Sequence, residues 1–328
     1  MFMKNIIRTT ASLAAVLLAG GAHAAAIEPG AVTSAALTSI PQTSPDETAA
    51  EPDPAIVHLQ ILLDRAGASP GVIDGFYGEN VSKAVSGFET LQGLDADGDL
   101  DAEVLNRLKS DVPVLRDYKI TPQDGEHLAD SIPEDYAKMA EMEELGYTSI
   151  AERLAERFHM DEDLLRALNP GSDFAVGETV SIADPGDPVE GKVARIEVDR
   201  KAAQVHAFSE DGTLLAVYPA TIGSEENPAP SGTHEVKGVA PMPTYTYNPE
   251  VNFQQGDNTE VLEIAGGPNN PVGSVWIDLS KPTYGIHGTP EPALIDKVGS
   301  HGCVRLTNWD AEELGAMVDP GVTVEFIN

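Results

Sequence analysis

The sequence predicts a multidomain chain in which small helical modules precede a mostly-β domain. The chain has 328 residues, which corresponds to two or three domains at roughly 100–200 residues each. Apolar residues recur at helical spacing from Ile56 to Leu108, whereas apolar and polar residues alternate from Val193 onward. Hydrophobic residues make up 41% of the sequence, which is enough to form a core in each domain.

The charge of the chain narrows the range of partners. It has 53 Asp and Glu residues against 20 Lys and Arg residues, for a formal net charge of -33. A chain this acidic is repelled by nucleic acid phosphates and by anionic lipid surfaces. We therefore expect no nucleic acid partner.

The N-terminus, residues 1–24, is typical of a secretory signal peptide. It combines a positively charged start, an apolar run too short to span a bilayer, and a cleavage pattern of small residues. These features are Lys4 and Arg8, residues 11–21, and Ala22-His23-Ala24. We expect export to the periplasm and, after signal cleavage, no transmembrane segment.

Residues 25–53 predict a disordered linker, because they are rich in Pro, Ala, Thr and Ser and lack apolar periodicity. Residues 54–110 predict three short helices around one apolar centre. The helical apolar positions are Ile56, Leu59, Leu62 and Leu63, then Val81, Ala84, Val85, Phe88 and Leu91, then Val104, Leu105 and Leu108. This block resembles peptidoglycan-binding domain 1, and the resemblance implies affinity for the cell wall. It rests on Leu59-Gln60, Gly71-x-Ile73-Asp74-Gly75-x-Tyr77-Gly78 and Ala84-Val85-x-x-Phe88.

Residues 111–145 predict an acidic connector. The acidic stretch before it, residues 95–101, does not fit a calcium loop, which needs glycine at its sixth position and glutamate at its twelfth. Its carboxylates are better suited to cap the helix that follows. With a single cysteine and no His-Glu-x-x-His pattern, the sequence indicates no metal site, and it indicates no cofactor.

Residues 146–184 predict a βααβ unit. Ile150, Leu154 and Phe158 mark one helix, Leu164, Leu165 and Leu168 mark the next, and residues 177–182 mark a strand. The unit resembles a LysM module, which implies binding to glycans that contain N-acetylglucosamine. A spacer without a ligand is the alternative.

Residues 192–328 predict a mostly-β domain. Alternation of apolar and polar residues predicts strands at 193–198, 204–208, 214–218, 233–239, 274–279 and 322–327. A turn at residues 209–212 joins the second and third of these strands into a hairpin.

The only cysteine lies in Ser300-His301-Gly302-Cys303-Val304-Arg305. It cannot form a disulfide within the chain, and a spare thiol is a liability in an exported protein. A nucleophilic cysteine needs an imidazole to accept its proton and N–H donors for the oxyanion. His287 and His301 are the candidate imidazoles, and a small buried cysteine without chemistry is the alternative.

Together with Tyr284-Gly285-Ile286-His287-Gly288-Thr289, this motif resembles the L,D-transpeptidases (YkuD domain, ErfK-like branch) over residues 192–328. The resemblance implies a β-sandwich, with Cys303 as the acylated nucleophile and His287 as the general base. It also implies supporting or oxyanion roles for His301, Gly302, Gly288 and Ser300. The carbonyl of Gly288 would orient the imidazole. Arg305 would bind substrate. A structural ion pair is the alternative for Arg305.

The same resemblance implies acyl transfer through a thioester on the tetrapeptide stem of peptidoglycan, with release of terminal D-alanine. An acceptor amine would then form a 3-3 crosslink or attach an outer-membrane lipoprotein. If water attacks instead, the same site is an L,D-carboxypeptidase or an amidase. A non-catalytic wall-binding protein is the third possibility.

Overall fold

The computed structural model describes residues 26–40, 51–224, 227–251 and 253–328. The predicted signal peptide lies outside the described residues. The helices are α1 (Pro29–Thr33), α2 (Pro54–Arg65), α3 (Glu79–Gln92), α4 (Ala102–Leu108), α5 (Tyr136–Met139), α6 (Ile150–Arg157), α7 (Glu162–Leu168) and α8 (Asn308–Met317). Among the described residues, none of the helices has both the length and the apolar character that a membrane span requires.

The strands fall mostly in the second half of the chain. They are β1 (Leu115–Lys119), β2 (Thr179–Ala183), β3 (Arg195–Asp199), β4 (Gln204–Phe208), β5 (Leu214–Pro219), β6 (Thr221–Ile222), β7 (Gly232–Pro241), β8 (Tyr245–Tyr247), β9 (Leu262–Ile264), β10 (Val275–Leu279), β11 (Gly285–His287), β12 (Val304–Arg305) and β13 (Thr323–Ile327).

The three helices predicted between residues 54 and 110 are α2, α3 and α4, and their ends have local causes. The Asp53 side chain begins α2 by accepting a hydrogen bond from the Ala55 N–H. Asp101 begins α4 by the same kind of contact, so the predicted cap within the acidic stretch is confirmed. Gly93 ends α3 with a φ of 68°, a left-handed conformation that costs glycine little.

Residues 26–40 are folded, which corrects the disordered linker predicted for 25–53. Pro29 opens the short helix α1, and one 3-10 turn follows it. Three apolar residues of this segment are buried in the helical core: Ile27, Val32 and Ile40. They are too widely spaced to form a periodic pattern, so the sequence did not indicate their burial.

The predicted acidic connector, residues 111–145, contains a strand. β1 pairs antiparallel with β2, and Leu115 lies opposite Ala183. The βααβ unit therefore begins at residue 115 rather than 146. Residues 126–148, which we call the insert, lie between its first strand and its first helix. The middle of β1 is exposed and charged, which hid the strand in the sequence.

The β domain is built on a nine-stranded mixed sheet in the order β5-β4-β3-β13-β7-β10-β11-β12-β6. The long strand β7 belongs to both halves of the sheet, because residues 232–235 pair with β13 and most of the remainder pairs with β10. Side chains from both halves and from α8 share one core. This is the sandwich-like, mostly-β fold that the sequence predicted.

The helical region packs directly on the β domain. Ser69 and Val217 of β5 are joined by a backbone hydrogen bond of 2.9 Å, and the Val217 N–H donates to Gly67 at 2.8 Å. A Cβ at Gly87 of α3 would lie 3.0 Å from the Val217 side chain. The Ser69 hydroxyl also donates to buried Asp310 of α8 at 3.1 Å. The modules therefore form one packed body.

Candidate active site

Two adjacent parallel strands bring the predicted site residues together. In β11 and β12, Ile286 lies opposite Val304 and His287 lies opposite Arg305. Successive residues of a strand face opposite sides of its sheet. Ile286 and Val304 are buried in the core, so His287 and Arg305 share the other face. Cys303 lies in the bend that leads directly into β12, two residues before Arg305.

A tight turn holds Cys303 at the start of β12, and Ser300 is its centre. The buried Ser300 hydroxyl donates to the Cys303 carbonyl at 2.6 Å and accepts from the Gly223 N–H at 2.8 Å. It also accepts from the Gly302 N–H at 3.3 Å. Gly302 has a φ of 107°, a conformation that favours glycine. Ser300 thus fixes the backbone on both sides of the cysteine.

The ring of His287 is buried and held from two directions. Its Nδ1 lies 2.6 Å from the Gly288 carbonyl oxygen. The ring also stacks on Trp276 of β10, with 5.4 Å between the centroids. A carbonyl can only accept, so Nδ1 carries the proton and Nε2 keeps its lone pair. Burial and the nearby Arg305 charge lower the pKa of His287 to about 4, which keeps the ring neutral at pH 7.

Cys303 is partly exposed, and its sulfur lies 3.8 Å from the Thr283 carbonyl oxygen. Desolvation raises the pKa of the thiol, although the Gly285 backbone and Arg305 act in the opposite direction. In the part of the chain that the structure describes, no hydrogen bond joins the sulfur to His287. The Cys303 N–H also lacks a partner among these residues, so it is available to a developing oxyanion.

Arg305 is a largely buried cation whose Nε has no hydrogen-bond partner. Across the described ranges, no carboxylate forms an ion pair with it. Desolvation lowers the pKa of Arg305, and the charge of Glu291 opposes this effect. A guanidinium with free N–H groups is well suited to bind the carboxylate of a ligand.

His301 is exposed, and its ring stacks on Phe253 with 3.9 Å between the centroids. Phe253 belongs to the flap, which we define as residues 242–251 and 253–266 and which contains β8 and β9. Rings from the flap and the insert form an aromatic cluster: Tyr136, Tyr245, Tyr247 and Phe253. The sequence analysis did not predict this cluster, because Tyr136 is separated from the flap by more than 100 residues of chain.

Asn308, at the start of α8, supports the segment that holds the imidazole. Its Oδ1 accepts from the Ser274 N–H at 3.0 Å, and its Nδ2 donates to Glu156 at 2.9 Å. A Cβ at Gly288 would lie 2.2 Å from the same Oδ1, so only glycine fits there. Asn308 therefore fixes the backbone whose carbonyl contacts His287. No local motif in the sequence identified this role.

Fold and site together define a mostly-β domain that carries a cysteine and histidine motif and is preceded by helical modules. Residues 193–326 match the model of the YkuD family, described as the L,D-transpeptidase catalytic domain. Residues 52–108 match the family described as "Putative peptidoglycan binding domain". The chain therefore has an L,D-transpeptidase catalytic domain preceded by a peptidoglycan-binding domain, which confirms the two main resemblances. The LysM resemblance of the βααβ unit stays a prediction.

Curated relatives carry the same designation. "Putative L,D-transpeptidase YkuD" of Bacillus subtilis is 28% identical over 171 residues, which cover 52% of this chain and 89% of that protein. "Probable L,D-transpeptidase YbiS" of Escherichia coli K12 is 28% identical over 193 residues, which cover 56% of this chain and 61% of that protein. The solved structure of L,D-transpeptidase 1 from Mycobacterium tuberculosis aligns over 47% of this chain and 68% of its own, with 14% identity and a TM-score of 0.32.

Proposed function

We propose that this protein is an exported cell-wall enzyme in which Cys303 carries an acyl group from one peptidoglycan stem to an amine. The reaction class is that of its L,D-transpeptidase catalytic domain. The observation that carries the residue assignment is the pairing of His287 with Arg305 across β11 and β12, with Cys303 at the entrance to β12. The contact between Gly288 and the imidazole supports it, because this contact sets the tautomer that a general base needs.

The first half-reaction forms a thioester. Nε2 of His287 takes the thiol proton as Sγ of Cys303 attacks the carbonyl carbon of the third stem residue. A C–S bond forms, and the carbonyl oxygen becomes an oxyanion that the Cys303 N–H can receive. The C–N bond to terminal D-alanine then breaks, and the proton on His287 passes to the departing amine. The stem remains as a thioester on Cys303.

The second half-reaction transfers the acyl group. An acceptor amine attacks the thioester carbon, and its proton passes through His287 to the leaving sulfur of Cys303. The side-chain amine of a neighbouring stem gives a 3-3 crosslink, and a lysine of an outer-membrane lipoprotein gives attachment of that protein. If water is the acceptor, the product is a trimmed stem, as in an L,D-carboxypeptidase, or a released lipoprotein, as in an amidase.

The resting site holds a neutral thiol and a neutral imidazole. The pKa of Cys303 is raised and that of His287 is lowered, so a preformed thiolate–imidazolium pair is disfavoured. Proton transfer therefore accompanies the attack on a correctly bound substrate. This arrangement limits side reactions of the thiol with other electrophiles.

Arg305 is proposed to bind the C-terminal carboxylate of the donor stem. That carboxylate belongs to the D-alanine, one residue beyond the attacked carbonyl. The guanidinium has no competing hydrogen bond at Nε, and Arg305 lies two residues after Cys303. We expect Arg305→Met to raise KM for a tetrapeptide far more than KM for an amine acceptor, and equal KM values in wild type and variant would remove this role.

The helical modules are proposed to hold the enzyme on the wall. A cleft of about 550 Å³ lies between the glycine-rich turn of the peptidoglycan-binding domain and residues 292–297 of the β domain. Phe76 and Tyr77 line it together with the polar side chains of Gln60 and Asn80, and aromatic faces beside a few polar groups suit sugar rings. Phe76→Ala should weaken sacculus pull-down without slowing reaction with a soluble tetrapeptide. The βααβ unit would add a second glycan contact, and export through residues 1–24 would bring the enzyme to the periplasm.

The acylation step is tested by intact-mass spectrometry after exposure to a carbapenem. The wild type should gain one adduct and Cys303→Ala should gain none. His287→Gln should lose turnover while the thiol is still alkylated slowly at raised pH. An unmodified wild type would leave the non-catalytic wall-binding protein as the function.

The acceptor is tested by muropeptide mass spectrometry of purified sacculi after incubation with the enzyme. New 3-3 crosslinks, lipoprotein-derived peptides and trimmed stems have different masses. Cys303→Ala serves as the control, because it should leave the muropeptide pattern unchanged. Trimmed stems alone would assign the chain to the hydrolases rather than the transferases.

A further inference from the structure

The insert of the βααβ unit is anchored to the catalytic domain at its C-terminal end. The Leu145 N–H donates to Gly266 at 3.0 Å, and the Leu145 carbonyl accepts from the Asn269 N–H at 3.0 Å. The Asn269 side chain also donates to Gly146 at 3.0 Å. A Cβ at Gly267 would lie only 2.1 Å from the Leu145 oxygen, so the two backbones approach as closely as glycine permits.

A second anchor lies at the start of α5, where Tyr136 joins the flap. The Tyr136 N–H donates to the Gln255 side chain at 3.2 Å, and the same side chain donates to the Glu134 carbonyl at 2.9 Å. The Tyr136 ring makes edge-to-face contacts with Tyr247 and Phe253, at centroid distances of 5.3 Å and 6.1 Å. Such pairs stabilise beyond their buried area, so Tyr136 fixes the flap.

The flap in turn borders the catalytic residues. Phe253 stacks on His301, the residue two positions before the nucleophile. Burial raises the pKa of Tyr136 to about 12, and the Arg305 charge opposes that rise. The contacts therefore continue from the insert, through the aromatic cluster, to His301 beside the nucleophile.

The ring of Tyr136 carries these contacts rather than its hydroxyl. Among the described residues, no hydrogen bond involves the hydroxyl oxygen, whereas three flap rings contact the Tyr136 ring. Phenylalanine at this position would keep the ring contacts, and alanine would remove them.

We propose that Tyr136 is a positioning residue for the reaction at Cys303, and that the insert forms one wall of the substrate site by holding the flap against it. The accessory module is then part of the active site as well as a tether. This inference rests on the proposed function, because it concerns how the donor stem is held next to the nucleophile.

The test compares Tyr136→Ala with Tyr136→Phe in the full chain. Lys138→Ala is the matched control, because Lys138 lies in the same short helix with its side chain exposed. We expect Tyr136→Ala to raise KM for a soluble tetrapeptide at least tenfold while kcat falls less than threefold. Alkylation of Cys303 by iodoacetamide, which needs no bound substrate, should stay equal or become faster. Tyr136→Phe and Lys138→Ala should match the wild type.

A double-variant comparison separates positioning from general damage. Phe253→Ala removes the flap side of the same contact, so the double variant with Tyr136→Ala should be no worse than the more impaired single variant. If the fold-increases in KM of the two single variants multiply in the double variant, or if KM is unchanged in a folded Tyr136→Ala variant, the proposal is overturned. If Tyr136→Ala fails to fold by circular dichroism, Gln255→Ala carries the same expectation, since the Gln255 side chain binds the backbone of the insert at both Glu134 and Tyr136. Failure of the proposed function is distinct, because the wild type itself would then form no carbapenem adduct.

Discussion

Two buried carboxyl groups at the junction of the modules should make the fold less stable as the pH rises. Glu156 of α6 accepts a hydrogen bond from Asn308, and Asp310 of α8 accepts one from Ser69. Desolvation, reinforced by neighbouring carboxylates, raises the pKa of each to about 8. Their ordinary values are 4.5 and 3.8. The folded chain therefore keeps two protons at neutral pH that the unfolded chain releases.

The sign and size of the effect follow from this difference. Where the unfolded state has released a proton that the folded state retains, the free energy of unfolding falls by about 1.4 kcal/mol per pH unit for each group. Glu156 and Asp310 together should give a slope of about 3 kcal/mol per pH unit. The slope should fade above pH 8, where both groups ionise in the folded state as well. Between pH 6 and pH 8 exposed carboxyl groups are ionised in both states and add little. Histidines whose pKa is lowered by folding, His58, His206, His287 and His301, oppose the slope below pH 7, because the unfolded chain binds their protons more readily. The difference in slope between the wild type and the carboxyl variants therefore reports the two buried protons.

Urea unfolding followed by circular dichroism at pH 6, 7 and 8 measures this slope. Glu156→Gln and Asp310→Asn should each remove about half of it. Asp163→Asn, at an exposed carboxyl on α7, should leave it unchanged. If the double variant keeps the same slope as the wild type, the assignment of buried protons is wrong.

Three further outcomes test the site. Asn308→Ala leaves the buried Ser274 N–H without an acceptor, so urea titration should find unfolding easier by about 2–3 kcal/mol, and an unchanged midpoint would contradict this. Ser300→Ala removes the acceptor of the Gly223 N–H, so carbapenem acylation followed by mass spectrometry should be slower by roughly tenfold or more. A rate equal to that of the wild type would show that the hydroxyl is dispensable. Gly285→Ala would put a methyl group 2.5 Å from the ring of Trp276, which stacks on His287. We expect kcat to fall roughly tenfold or more while the circular dichroism spectrum is retained. Full activity would show that the Trp276 ring is free to move.

The sequence predicted the helices and strands in which apolar side chains recur at regular spacing. β4 has the bounds 204–208 that alternation indicated, and α6 and α7 lie where helical spacing placed them. β1 was missed because three of its five residues are charged and only Leu115 is buried. The fold of residues 26–40 was missed because its few buried apolar residues are isolated in the sequence and pack into a core formed by the helical modules.

The same contrast holds in the candidate site. Cys303 and His287 belong to short motifs, so their neighbourhood could be expected, and the pairing of β11 with β12 brings the two motifs together. Tyr136 and Asn308 have no motif, because their importance comes from partners more than 100 residues away in the chain. Sequence periodicity reports on local structure and is silent about such contacts.

The order in which the segments of the chain are made determines when the candidate site can form. Leu145 needs Gly266, and Glu156 needs Asn308, before their polar groups are satisfied. Synthesis from the N-terminus delivers the helical modules before these partners. We expect the hydrogen bonds of Leu145 and Glu156 to form only after α8 has been made. The surroundings of Cys303 would then be complete only when synthesis of the chain is nearly finished.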